Sequence, residues 1–371
     1  MKSLERKNIG LGSDILINGI LLVLCIGWLL PVLGLFVTSF RHKDDVNRTG
    51  WWAIFAPRYI VTEQSLAQLR EQGRVPAETM ALLESKLKDK EYSSKLQFVN
   101  ILPRVIKKDA AEKYQADILA VAKQAARPNL SLNNYRQVLA SRDTVILDEQ
   151  GKQISQGGDN LRDAFLNSVT VTVPAVIIPI LIAAFAAYGF AWMSFPGRKF
   201  FFTVLFALLV VPSQIALIPI LRDYMALHLN GTFLAVWLAH TGFGLPLATY
   251  LLYGYVSQLP RSILESAFID GASHFTIFFS LILPLSVPAL ASFAIFQFLW
   301  VWNDLLTALV FLGTNADVQV LTQRLLNMIG ERGQDWHLLT SGAFVTMALP
   351  LVVFLSLQRY FVKGLLSGSV K

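Results

Sequence analysis

The chain has 371 residues, 54% hydrophobic and only 15% charged, with mean hydropathy +0.50; soluble domains carry about 25% charged residues, so this composition belongs in a membrane. Net charge is +7, but Lys and Arg are scattered without a run interleaved with aromatics, which excludes a nucleic-acid groove and leaves membrane orientation as the meaning of the charge. Cys25, the single cysteine, lies in an apolar run, which excludes a disulfide framework and a thiolate metal site and assigns it to packing.

Residues 1–14 form a short tail with Lys2, Arg6 and Lys7, ahead of a first apolar run at 15–36. That run exceeds a signal-peptide core and no small-x-small cleavage site follows, so segment 15–40 reads as an uncleaved membrane anchor. Five more runs of about 20 apolar residues follow, at 167–193, 201–221, 232–253, 286–311 and 338–361. The expected fold is therefore an all-α integral membrane protein of six transmembrane helices. Basic residues concentrate in the segments that share a side with the N-terminus, among them Arg198, Lys199, Arg261, Arg359 and Lys363, which places both termini in the cytoplasm. Arg41, Lys43 and Arg48 stand against that bias, in a long translocated segment that follows the rule poorly.

Residues 41–162 are too long for a plain connection. Trp51 and Trp52 suit the outer interface, where an indole keeps its ring apolar and its N–H wet. From about residue 63 to 127 the chain turns charged, and ETMALLESKLKDKEY and KDAAEKYQADILAVAKQAA have helix-forming composition and amphipathic spacing. This segment is expected to be a small helical extracytoplasmic insertion ended by Arg127-Pro128. Two readings of it stand, an appendage that packs on itself and a contact for a soluble partner.

The five-span remainder, 163–371, contains a polar island at 257–285 that includes ILESAFIDGASHFTIFFSLILP. Asp270-Gly271 breaks a short helix there, because glycine takes the left-handed conformation that ends helices, and Ser273 is placed to cap a second. Pro284 and Pro288 mark the start of the fifth span. Two short helices at a fixed angle make either a knob for a partner's groove or an ordinary interfacial loop.

Glu265-Ser266-Ala267, Gly271 and Leu281-Ile282-Leu283-Pro284 resemble the EAA motif, EAA-x3-G-x9-I-x-LP, of permease subunits of binding-protein-dependent ABC importers. Ser266 replaces the second alanine and Leu281 the isoleucine; both swaps keep small or apolar character. LNNYRQVL at 132–139, FLNSV at 165–169, AAYGFAWMSFPGRK at 186–199, VPSQIALIP at 211–219, GLP at 244–246 and WNDLLTALVF at 302–311 are similar to maltose-type carbohydrate permeases. GWWAIFAP at 50–57 and the long insertion lean toward the α-glucoside branch. The resemblance implies that Glu265, Ser266, Ala267, Asp270 and Gly271 form a coupling loop that docks in an ATPase subunit. It also implies a second related permease, a dimer of ABC ATPases, an extracytoplasmic sugar-binding protein and surrounding lipid as partners. The chain has no GxxxxGK[ST], so ATP and Mg belong to the partner ATPase and no cofactor is expected here. Leu366-Ser367-Gly368-Ser369 reads as a flexible tail.

Polar side chains within spans are costly unless paired or facing a cavity. Asp304 lies about 27 Å along a helix begun at residue 286, with Trp300, Trp302 and Asn303 beside it. The group suits a sugar ring and its hydroxyls, or else an aromatic belt with a structural partner for the acid. Gln214, after Pro212, and Gln297, two turns before Asp304, join Trp302, Asn303 and Asp304 as candidates for the substrate path. His240, Thr241, Gly242, Gly244 and Pro246 are expected to break the fourth span, with His240 either packed or a ligand. No spacing suits a metal or a nucleophile–base pair. The functional alternative is an ion-coupled secondary transporter, for which Asp304 is the one candidate acid and no inverted repeat is found.

Overall fold

The computed structural model describes residues 11–55, 58–92, 95–124, 130–140, 144–147, 153–156, 160–331 and 335–367. The first ten residues, the Arg127-Pro128 end of the insertion and Gly368-Ser369 of the tail lie outside these. The chain forms two compact units, Met1–Gln137 with Arg332–Ser341, and Val138–Glu331 with Gly342–Lys371. The first span thus groups with most of the insertion.

In the first unit, α1 (Leu11–Ser39) is the first span. Its apolar side chains point outward along nearly its whole length, Trp28 reaching 83% exposure, as suits a helix whose solvent is lipid. Gly34 admits the Trp51 indole, whose ring atoms would lie 2.7 Å from a Cβ there. After α2 (Lys43–Arg48) and a 3-10 turn at Trp51–Phe55 the insertion begins with β1 (Arg58–Ile60). It continues through α3 (Glu63–Gln72), α4 (Ala77–Leu87), β2 (Glu91–Tyr92), α5 (Lys95–Ile106), α6 (Lys108–Ala122) and β3 (Lys123–Gln124). Thr62 caps α3 and Gly73, at φ 62°, ends it. Leu66, Leu69, Leu83, Leu87, Phe98, Leu102 and Ile118 are completely or almost completely buried in one core.

The insertion is helical as expected, but a small antiparallel sheet of order β2-β1-β3 closes it. Arg58 pairs with Gln124, so the two ends of the module meet. Strands of two and three residues are too short to show an alternating pattern. Last comes α7 (Asn133–Ala140), where Asn134 Nδ2 donates to the carbonyls of Ser39 (2.8 Å) and Arg41 (2.9 Å), closing the end of α1.

The second unit opens with a hairpin, β4 (Thr144–Leu147) against β5 (Gln153–Gln156). α8 (Leu161–Trp192) is the second span; its start lies six residues before the apolar run, because Arg162 and Asp163 occupy the exposed first turn. The third span is bent: α9 (Arg198–Ala207) and a 3-10 turn at Leu208–Val210 meet α10 (Ser213–Ala226) at 104°. Pro212 holds Val211 extended at φ −74°, ψ 118° and supplies no N–H, which accounts for the corner.

α11 (Phe233–Val256) is one unbroken helix, which corrects the expected break at residues 240–246. Pro246 removes one hydrogen bond, whereas breaking the helix in hydrocarbon would orphan several backbone groups. α8 and α11 pack through small residues, among them Ala183, Ala187 and Ala248.

α12 (Arg261–Ile269) and α13 (His274–Ile277) form the candidate coupling loop; a π turn at Phe278–Ile282 and α14 (Leu283–Leu285) lead to α15 (Val287–Asn303) across a 70° bend. The fifth span is interrupted again at Asp304, and α16 (Leu305–Leu312) completes it. α17 (Leu321–Glu331) and the sixth span α18 (Trp336–Ser367) follow. Among the described residues four helices are long and apolar enough to cross a membrane, and counting each of the two bent pairs as one span gives up to six.

Candidate coupling loop and membrane polar residues

The expected turn in the coupling loop is present and tightly made. Ala272 N–H donates to Ala267 C=O and Gly271 N–H to Phe268 C=O, both at 3.0 Å. This double closure is the Schellman ending, which needs a left-handed residue, and Gly271 supplies it at φ 79°. A Cβ at Gly271 would meet nothing within 4 Å, so the demand for glycine is conformational rather than steric. Ser273 Oγ then accepts from Thr276 N–H at 3.2 Å and starts α13.

Leu264, Ile277, Phe278 and Ile282 anchor the loop in a core shared with Ala187 and Tyr188 of α8 and Val256 of α11. Glu265, Ser266, Asp270 and Gly271 remain exposed, and Ala267 is half-buried. Ile269 and Phe275 are 85% and 71% exposed beside them. The arrangement offers small residues for close approach, apolar side chains for burial and two carboxylates to set register.

The five path candidates do not form one lining. Gln297, 2% exposed, donates from Nε2 to the carbonyls of Ala175 (3.1 Å) and His240 (3.4 Å), and its amide fills the notch left by Gly244. Trp302 is buried, stacks on Phe298 and donates Nε1–H to Thr346 C=O at 3.0 Å. Asp304 corrects the expectation of an acid within a continuous helix: at φ −78°, ψ 103° it caps α16. Its Oδ1 accepts from Thr307 N–H (3.1 Å) and its Oδ2 from the Thr307 hydroxyl (2.6 Å).

Asp304 Oδ2 also lies 3.8 Å from His240 Nε2, too long for a hydrogen bond. His240 Nδ1 has no partner among the described residues. The two flank a cavity of about 10 Å³, which Ser168 and Thr172 also line; that is room for one water. Gln214 and Asn303 are exposed. No group of three His, Cys, Asp or Glu side chains among the described residues is arranged to hold a metal.

Several structural residues escaped the sequence reading. Gln323 bridges the turn before α17, its Oε1 accepting from Val320 N–H (3.1 Å) and its Nε2 donating to Gly313 C=O (2.9 Å). Asn134 closes α1, and its place in LNNYRQVL was the one available signal.

Residues 169–367 match the family model of the binding-protein-dependent transport system inner membrane component. The chain is 45% identical, over 93% of its length and 88% of the relative's, to the osmoprotective compounds uptake permease protein GgtD of Synechocystis sp.. It is 44% identical to the alpha-glucoside transport system permease protein AglG of Rhizobium meliloti, over 94% of this chain and 95% of that one. Among solved structures it shares the fold of a bacterial ABC transporter involved in import of the acidic polysaccharide alginate, with TM-score 0.59, 15% identity and coverage of 97% of this chain and all of that chain. With more than half of its length matched, and near full-length relatives well above 30% identity, the chain belongs to the inner-membrane permease components of binding-protein-dependent ABC transport systems.

Proposed function

We propose that this chain forms one half of the pore of an ATP-driven importer and that its cargo is a carbohydrate of the α-glucoside class. The observation that carries the transport mechanism is the coupling loop: a rigid two-helix elbow, fixed by Gly271 and Ser273, with Glu265 and Asp270 exposed. Such an elbow suits a rigid lever between a motor and the spans. ATP and Mg act in a partner ATPase dimer, this chain performs no catalysis itself, and a second, related permease supplies the other half of the pore. An extracytoplasmic sugar-binding protein delivers the cargo. Closure of the ATPases moves the loop and rocks the spans between inward- and outward-open arrangements. The termini and the loop lie in the cytoplasm, and the 41–162 insertion outside.

The cargo class rests on the relative named for alpha-glucoside transport, whose match runs through the insertion as well as the spans. Gln214 and Asn303 are the exposed path candidates, Asn303 with its Nδ2 already donating to the Leu299 carbonyl at 2.7 Å, whereas Gln297 and Trp302 bond to other helices and Asp304 caps α16. The ion-coupled alternative loses its one acid to the cap of α16.

The test is uptake by proteoliposomes holding the complete complex, with its binding protein, offered labelled maltose, sucrose and trehalose. ATP-dependent accumulation that survives collapse of proton and sodium gradients is expected. Accumulation driven by an ion gradient without ATP would overturn the proposal.

A further inference from the structure

The coupling loop is joined to its own span by a compliant path. Between α13 and α15 the backbone passes through the π turn at Phe278–Ile282 and then the 70° bend, and both are places where a helix yields. A lever attached only through such joints would lose part of its stroke, so a second, stiffer attachment is needed.

His274, the first residue of α13, provides one. Its Nδ1 lies 2.8 Å from the hydroxyl of Tyr188 on α8. Tyr188 is only 3% exposed, and its hydroxyl makes no other hydrogen bond among the described residues. Phe268 of α12 stands edge-on to the same imidazole at 5.2 Å, so His274 touches both helices of the loop and the second span at once. The neighbouring contacts, Phe185 stacked on Phe278 at 4.0 Å and Tyr188 against Phe278 at 5.9 Å, are apolar. Apolar contacts resist separation but not sliding, because they have no directionality, whereas a hydrogen bond fixes one register.

We propose that the Tyr188–His274 hydrogen bond is a positioning strut that passes movement of the coupling loop directly into α8, an inference that rests on the importer reading above. Both side chains act through the loop and touch neither solute nor nucleotide. Loss of the strut lets the loop move without carrying α8, so ATP is hydrolysed with less solute moved.

The experiment measures ATP hydrolysed per solute imported by the complete complex in proteoliposomes, using whichever of the three sugars above gives most uptake. Tyr188→Phe and His274→Leu each raise that ratio about two- to tenfold, the range a single neutral hydrogen bond commands. His274→Asn, which places an amide oxygen near the position of Nδ1, stays close to wild type. The double variant Tyr188→Phe/His274→Leu is no worse than the worse single one, because both remove the same bond.

A purely structural role would lower the amount of assembled complex without changing the ratio. If Tyr188→Phe does not assemble, the Leu and Asn variants at exposed His274 decide the matter. Unchanged ratios in the variants, additive losses in the double, or equal losses in the Leu and Asn variants would overturn the strut while leaving the importer reading intact. A wild-type complex that imports nothing on ATP would overturn that reading, and the strut with it.

Discussion

Replacing Gly244 with alanine places a methyl group 2.7 Å from Nε2, 2.8 Å from Oε1 and 3.0 Å from Cδ of Gln297. The conflict is not with a flexible chain end. Gln297 is 2% exposed and its amide is held by the carbonyls of Ala175 and His240. α11 has little freedom to retreat, since Ala248 and Leu252 on it are buried in the core that also contains Ala183 and Ala187 of α8. Overpacking of this kind costs about 1–3 kcal/mol, and displacing the amide forfeits about 1 kcal/mol of net hydrogen bonding. Against this, alanine in place of glycine within a helix gains about 1 kcal/mol, leaving a net loss of about 1–3 kcal/mol by the same estimates. The assay is thermal unfolding of the detergent-solubilised complex, run for Gly244→Ala, Gln297→Ala and the double variant. Truncating Gln297 removes the obstacle, so the double variant should be more stable than the sum of the single losses requires, by about 1 kcal/mol or more. A Gly244→Ala complex as stable as wild type, or stabilised by the helix-propensity gain alone, would refute the notch-and-amide account.

At Gly271 the demand is for a left-handed residue in open space, so variants should rank by tolerance of φ 79° and not by size. Asparagine should retain most uptake, alanine less, and valine least, with the complex still in the membrane and ATP hydrolysis released from transport; valine performing as well as asparagine would contradict this. Asp304→Ala removes the cap of α16 and should lower stability by about 1–2 kcal/mol, while Asp304→Asn keeps an acceptor for Thr307 N–H and loses less, as unfolding midpoints of the two complexes would report. Asn134→Ala leaves the Arg41 carbonyl without its side-chain donor, and leaves the Ser39 carbonyl to share the single Ser341 hydroxyl proton, 2.8 Å away, with the His337 carbonyl at 2.6 Å. A loss of about 1–2 kcal/mol and faster hydrogen exchange confined to the end of α1 are expected, and exchange unchanged there would count against the role given to Asn134.

The parts of this molecule legible in its sequence are those set by a local rule. Four of the six apolar runs became single long helices and two became bent pairs, because the bilayer fixes the length of a span but not its straightness, and the candidate coupling loop could be drawn residue by residue because Gly271 and Ser273 act on neighbours within five positions. The bends are a weaker case of the same kind. Pro212 pointed to the corner in the third span, but Pro246, with glycines close before it, suggested a break that α11 does not have. A proline states which hydrogen bond is lost; it does not state whether the remaining bonds of the helix outweigh that loss.

The membrane polar residues were least legible, and Gln297 shows why. Sequence supplies the cost of placing an amide in hydrocarbon, from which a water-facing path is a fair deduction. The structure meets that cost with carbonyls from Ala175 and His240, 122 and 57 residues away, made reachable because Gly244 has no side chain. Asp304 follows the same logic over a shorter distance. A carboxylate that would be costly in mid-helix is satisfied by ending one helix and capping the next. A polar residue in a span therefore signals a constraint that must be met, and whether solute, water or another helix meets it depends on what lies opposite. For Gln297 and Asp304 the protein itself supplies most of the answer, so the search for residues that contact cargo moves to exposed polar side chains, Gln214 first and then Asn303, whose Nδ2 is already given to the Leu299 carbonyl at 2.7 Å.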